Sequence, residues 1–192
     1  MGIIVTLRER LRADTRVSHD AVDVAFGRFD IRNADGLARF LLAQRTAIGV
    51  LRRASATDPL RDEVCRAVDD LDADLATLGG GRSWVDLGAM KAPVDDHVLA
   101  RAYIWHGSRL GTRMLARRWS DAADPSIREA GTYFARLADR SVWRGLTDAL
   151  DAESGRGRKA DRVTGAANDW FAIFEDAAGR ARAAEIEARQ GV

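Results

Sequence analysis

The chain has 192 residues, 46% of them hydrophobic and 31% charged, a balance that suits one globular domain with a real core and excludes a disordered polymer. Its 30 basic and 29 acidic residues leave a net charge of +1, against the strong basic excess of a general nucleic-acid binder. No apolar run approaches the ~20 residues of a membrane-spanning helix, and Cys65, the single cysteine, fits a reducing cytoplasm.

Met1–Leu7 turns charged at Arg8 and lacks the pattern of a secretory signal, so a cytoplasmic protein without membrane attachment is expected. Periodicity is helical almost throughout. Leu7, Leu11, Thr15, Val22 and Phe26 fall at spacings of four or seven and predict a first helix over about 5–25. Asn33 or Asp35 can cap a second, with Leu37, Phe40, Leu41, Ala47, Ile48 and Leu51 as its apolar stripe to about 54. Asp58-Pro59 opens a third, marked by Leu60, Val64, Ala67, Leu71, Leu75 and Leu78 and ended by Gly79-Gly80-Gly81.

Residues 79–93 have no clear period and read as a loop. Asp95 and Asp96 open a helix that runs to about Trp119. Asp124-Pro125 breaks the chain again, before helices over about 126–137 and 139–151. After the turn at Gly155-Arg156-Gly157 a long helix covers about 160–188, with Ala167, Trp170, Phe171, Phe174, Ala177 and Ala178 on one side. No alternating strand pattern of useful length occurs. The class is all-α, a single multihelical domain over 1–192 whose last ten or so residues are expected to fray.

Tyr103-Ile104-Trp105-His106-Gly107-Ser108-Arg109-Leu110-Gly111 is the most informative segment. An interior glycine costs a helix about 1 kcal/mol relative to alanine. Gly107 and Gly111 are one turn apart, so they strip one face bare and let a flat aromatic cofactor, or another helix, press against the backbone. No carboxylate occurs between Asp96 and Asp121, while Arg101, Arg109, Arg113, Arg117 and Arg118 do. Those arginines read either as a solvated helix matched to its dipole or as a positive surface for an anionic ligand or an acidic redox partner.

Common enzyme signatures are missing: there is no phosphate-binding glycine loop, no His-Glu-x-x-His, no Cys-x-x-Cys and no Gly-x-Ser-x-Gly. No glutamate has a histidine three residues on, so a di-iron carboxylate bundle is excluded. Of the three histidines, His19 shares a helix face with Thr15 and Arg12. Imidazole is a good iron ligand, and a single proximal histidine can hold haem. His97 and Cys65 read as structural or exposed.

Taken together, Leu11-Arg12-Ala13-Asp14-Thr15-Arg16-Val17-Ser18-His19 and the Tyr103–Gly111 segment resemble the haem oxygenase family, most closely its bacterial branch found beside bacteriophytochromes. The resemblance runs from about 6 to 180. It implies that His19 binds haem iron, with Thr15 and Arg12 on the same face, and that Tyr103, Gly107, Ser108 and Gly111 form the distal wall over the porphyrin. Arg12, Arg140 and Arg144 are then candidates for the propionates, and Phe171 or Phe174 for an aromatic packed on the haem, with plain core packing as the alternative for both phenylalanines.

The implied reaction consumes haem, O₂ and electrons from an external ferredoxin or reductase, and yields biliverdin, CO and iron; a bacteriophytochrome is a candidate acceptor of the biliverdin. This chain departs from the family pattern at Thr112, where a second glycine is usual, and at His106, where a glutamate is frequent. Two rival readings stay open: a haem-binding protein without turnover, and a haem-free interaction protein of the same fold.

Overall fold

The computed structural model describes residues 5–79, 85–136 and 139–190, with side chains through Ala184. Those residues form nine helices and no strand: α1 (Leu7–Asp14), α2 (Arg16–Gly27), α3 (Ala34–Ala54), α4 (Arg61–Gly79), α5 (Val98–Ser120), α6 (Pro125–Glu129), α7 (Thr132–Ala135), α8 (Arg140–Asp151) and α9 (Arg158–Gln190). The all-α expectation holds. Gly80 and Gly81, expected to end the third helix, and Leu137, expected within the helix over 126–137, lie outside the described residues.

Two expected helices are each divided. The first bends at Thr15, where ψ is 0°, and becomes α1 and α2. The Thr15 hydroxyl donates to the Leu11 carbonyl at 2.7 Å, a back-bond that competes with the helix ladder and bends it. Thr15 serves both helices, its N–H donating to the Leu11 carbonyl and its own carbonyl accepting from the His19 N–H. The segment expected as one helix over 126–137 instead splits at Ala130 and Gly131 into α6 and α7. Gly131 is buried under the Trp119 ring, which occupies the space a Cβ would need.

Capping follows local chemistry. Thr6 and Glu9 form a reciprocal capping box on α1, and Asn33 accepts from the Gly36 N–H to start α3. The start of α5 falls at neither Asp95 nor Asp96. His97 is its N-cap, with Nδ1 accepting from the Leu99 N–H at 3.1 Å. Asp96 is engaged elsewhere, accepting from the Trp170 indole and from Arg101.

α9 organises the molecule. It packs against α1, α2, α3 and α5, while α3 also packs on α4. Its buried stripe alternates small and large: Ala160, Val163, Ala166, Ala167, Trp170, Phe171, Phe174, Ala177, Ala178 and Ala181. The alanines let neighbouring helices approach and the aromatics fill the space between them. Beyond α9, a run of rings ties four helices together. Phe26 of α2 meets Phe40 of α3, Phe40 stacks on Phe134 of α7 at 5.7 Å, and Phe134 stacks on Trp119 of α5 at 5.5 Å. Among the described residues no helix is long and apolar enough to cross a membrane.

Candidate functional site

α2 places His19 on the surface. Its side chain is 56% exposed, and Nδ1 lies 3.3 Å from Asp23 Oδ2 and 3.9 Å from Asp20 Oδ1. Both carboxylates stand on the Nδ1 side of the ring, away from Nε2. Phe171 of α9 meets the imidazole edge to face, with ring centroids 5.6 Å apart. The neighbouring Trp170 turns the other way and donates to Asp96 at the start of α5. Consecutive residues of α9 therefore carry α2 on one side and the foot of α5 on the other.

α9 also holds α2 through polar contacts. The Ser18 hydroxyl donates to the Asn168 Oδ1 at 2.7 Å, and Asn168 Nδ2 donates to the Asp14 carbonyl. Thr15 is buried, with its hydroxyl already committed to Leu11, so its contribution is the bend that sets the direction of α2.

Along α5 the two glycines differ. No neighbour comes within 4 Å of the position a Cβ would take on Gly111. At Gly107 two atoms of the Trp143 ring stand 3.7 Å from that position. Trp143 belongs to the first turn of α8 and also packs on Tyr103, centroid to centroid at 5.8 Å. The protein's own indole covers the Gly107 face, at a distance that an alanine there would also allow. Ser108 is exposed, its hydroxyl donating to the Trp105 carbonyl at 2.8 Å. Thr112, in place of the usual second glycine, is buried and bonds back to the Ser108 carbonyl.

The row of arginines on α5 is not one positive surface. Arg109 is 5% exposed: its guanidinium lies 4.6 Å from the Tyr133 ring centroid and 5.7 Å from that of Trp105. Nη2 donates to the carbonyls of Tyr133 and Arg136, while Nη1 is buried without a partner. Arg109 is about 200° round the helix from Gly107, so it pins the back of α5 while the glycines occupy the front. Arg101 is likewise taken, by Asp58 and Asp96.

Arg12, Arg140 and Arg144 are exposed and make no ion pair among the described residues. His106 turns towards α4. Its side chain is 12% exposed, with Nδ1 3.9 Å from Glu63 Oε2, and the same carboxylate accepts from the Trp105 indole. Burial pushes His106 below the usual histidine range, and Glu63 pulls more weakly the other way. Cys65 is half-buried on α4.

Sequence reasoning missed the parts played by Arg109 and Trp143. For Arg109 a signal existed, because Trp105, Arg109 and Thr112 share a helix face that its hydrophobic members would bury. Trp143 gave no such sign, since its role depends on how α8 docks.

An open hollow of about 380 Å³ lies along α9, lined by Asp95, Arg158, Asp161, Arg162 and Asp169 among others, and includes none of the anticipated site residues. Among the described residues no group of three or more His, Cys, Asp or Glu side chains is gathered as a metal site. Haem asks for a single imidazole, and that requirement is separate. No family model matches the chain, and no curated protein matches it.

Proposed function

We propose that the chain is a haem oxygenase in which His19 is the iron ligand. The observation that carries the reading is the state of His19: an exposed imidazole backed by Asp23 on one nitrogen and by the Phe171 ring, with the other nitrogen free to coordinate. The bare Gly111 position and the unpaired Arg12, Arg140 and Arg144 fit the same group. Trp143 over Gly107 fits it less well, since a porphyrin and the indole need the same space.

Haem, when bound, supplies the iron that activates O₂ and the porphyrin that is cleaved to biliverdin, CO and iron. The protein's own tasks are more modest. His19 would hold the iron through its imidazole, with Asp20 and Asp23 beside Nδ1 as outer partners. Phe171 limits rotation of the imidazole by edge contact. Arg12, Arg140 and Arg144 are long cations able to meet propionates, and so to fix which porphyrin edge faces α5. Gly111 offers close approach of backbone, with Ser108 on the turn before it. Electrons come from an external donor, with a ferredoxin or reductase as the proposed class.

A second reading is favoured by Trp143 itself. If this face of α5 serves only as the seat of α8, the chain is a helical interaction protein that takes no haem.

One titration separates the readings. Purified protein receives hemin, then ascorbate or a ferredoxin system in air, with the Soret and red bands followed. Stoichiometric uptake with a histidine-ligated spectrum and a green product is the expected result. Uptake without product leaves a haem-binding protein only, and no uptake supports the second reading. His19→Ala should lose the ferrous–histidine signature; a variant that keeps it overturns the ligand assignment.

A further inference from the structure

We propose that Trp143 is a gate on the haem site: its indole and a porphyrin compete for the front of α5 at Gly107. The inference rests on the haem reading above and adds to it what controls entry.

The contact is specific. Two ring atoms of Trp143 sit at ordinary van der Waals distance, 3.7 Å, from where Gly107 would carry a Cβ. The ring covers this face of α5 while leaving room for a methyl group beneath it. Tyr103, one turn earlier, packs on the same indole, with ring centroids 5.8 Å apart and a tilt of 38°. The indole thus lies across Tyr103 and Gly107, on the very stretch of α5 that the porphyrin would lie against.

The hold is also light. From Arg140 to Gly145, Trp143 alone is shielded from solvent; Arg140, Ser141, Val142, Arg144 and Gly145 are all exposed. The buried anchors of α8, Thr147 and Leu150, lie in its second half. Trp143 can therefore leave Gly107 without uprooting the helix. No neighbour crowds Gly145 within 4 Å of a Cβ position, so the turn has room to shift.

The same turn carries Arg140 and Arg144, both unpaired among the described residues. A dicarboxylate ligand that engages them pulls on the turn bearing the gate. Recognition of the propionates and withdrawal of the indole are then one movement, and apolar ligands without carboxylates lack the handle to open it.

Hemin is titrated into the full chain and into its Trp143→Ala and Trp143→Phe variants, with the Soret band giving affinity and association rate. An edge or stacked aromatic contact is lost on opening, which corresponds to roughly tenfold in affinity at most. The expected order is Trp143→Ala tightest and fastest, by up to about tenfold, then Trp143→Phe, then the unaltered chain. Zinc protoporphyrin dimethyl ester, which lacks free carboxylates, should gain more from Trp143→Ala than hemin does. Helix content by circular dichroism checks each variant; should the alanine variant lose it, the phenylalanine variant carries the comparison. Equal or weaker hemin binding by the variants overturns the gate while the haem reading stands, because the ring would then be part of the pocket wall. If neither the unaltered chain nor any variant takes up hemin, both fail together.

Discussion

The guanidinium of Arg109 stands 4.6 Å over the ring of Tyr133, deep in the protein and facing no carboxylate among the described residues. Two aromatic faces and two backbone carbonyls do the work a counter-ion would normally do. Lysine is a poor substitute at such a place, because a compact ammonium has no flat face to lay on the two rings. Arg109→Ala should lower stability by about 3 kcal/mol through lost packing and stranded carbonyls. Arg109→Lys should lose about 2 kcal/mol, since a stranded ammonium is little better. Urea titration checks both, and a loss below about 0.5 kcal/mol in either would remove the clamp from the account.

Gly131 should tolerate nothing larger. The Trp119 ring fills the space of its missing side chain, and that ring cannot swing aside: it stacks on Phe134, and its N–H is bonded to the Ile127 carbonyl at 2.7 Å. Gly131→Ala is expected to cost about 2–3 kcal/mol by overpacking. Adding Trp119→Leu opens the space, so the double variant should be less unstable than the two single losses summed. Strict additivity in thermal melts would show that the two residues do not compete.

Asp23→Ala tests the back of the proposed iron ligand. With its nearest carboxylate gone, His19 keeps only Asp20, 3.9 Å away, beside Nδ1. Loss of an outer partner of a metal-bound histidine typically weakens metal affinity about 10–100-fold. Hemin titration should show a loss in that range with the histidine-type spectrum retained, whereas unchanged affinity would place Asp23 outside the site.

Stability should decline on the acid side of about pH 6.5. His106 is held below the usual histidine range by burial. His97 is held there by burial first, then by Arg162, Lys159 and Arg101. In the unfolded chain both histidines take up protons near pH 6.5, and the folded chain resists until the pH is lower still. The unfolded state therefore binds more protons through that window, so stability is complete above it and falls as pH drops. For His97 the loss has a visible cause, since Nδ1 must accept from Leu99 to cap α5. His106→Gln and His97→Asn should each flatten the decline between about pH 7 and pH 5.5, and denaturant midpoints that do not change with pH there would contradict this.

Much of the fold could be read from spacing. Apolar stripes located α3, α4 and α9 within a few residues, because each buries one face against neighbours and period follows burial, while acidic starts and proline or glycine breaks located α5 and α8. The two divided helices were illegible for different reasons. At Thr15 the bend comes from one hydroxyl choosing its own backbone, which composition does not announce. At Gly131 it comes from a ring twelve residues earlier in the chain, a tertiary fact.

The candidate site was legible only in part. His19 and the two glycines stood out as residue types in a pattern, whereas the occupant of the Gly107 face depended on the docking of α8. Arg109 was misread as surface because charge usually means solvent, and here paired aromatics make an exception.

The long helix α9 has a consequence for biosynthesis. α1, α2, α3 and α5 all lean on a segment translated after every one of them. While those four are already outside the ribosome, their greasy faces have nowhere to go, so the nascent chain is a natural client for chaperones until α9 has been translated.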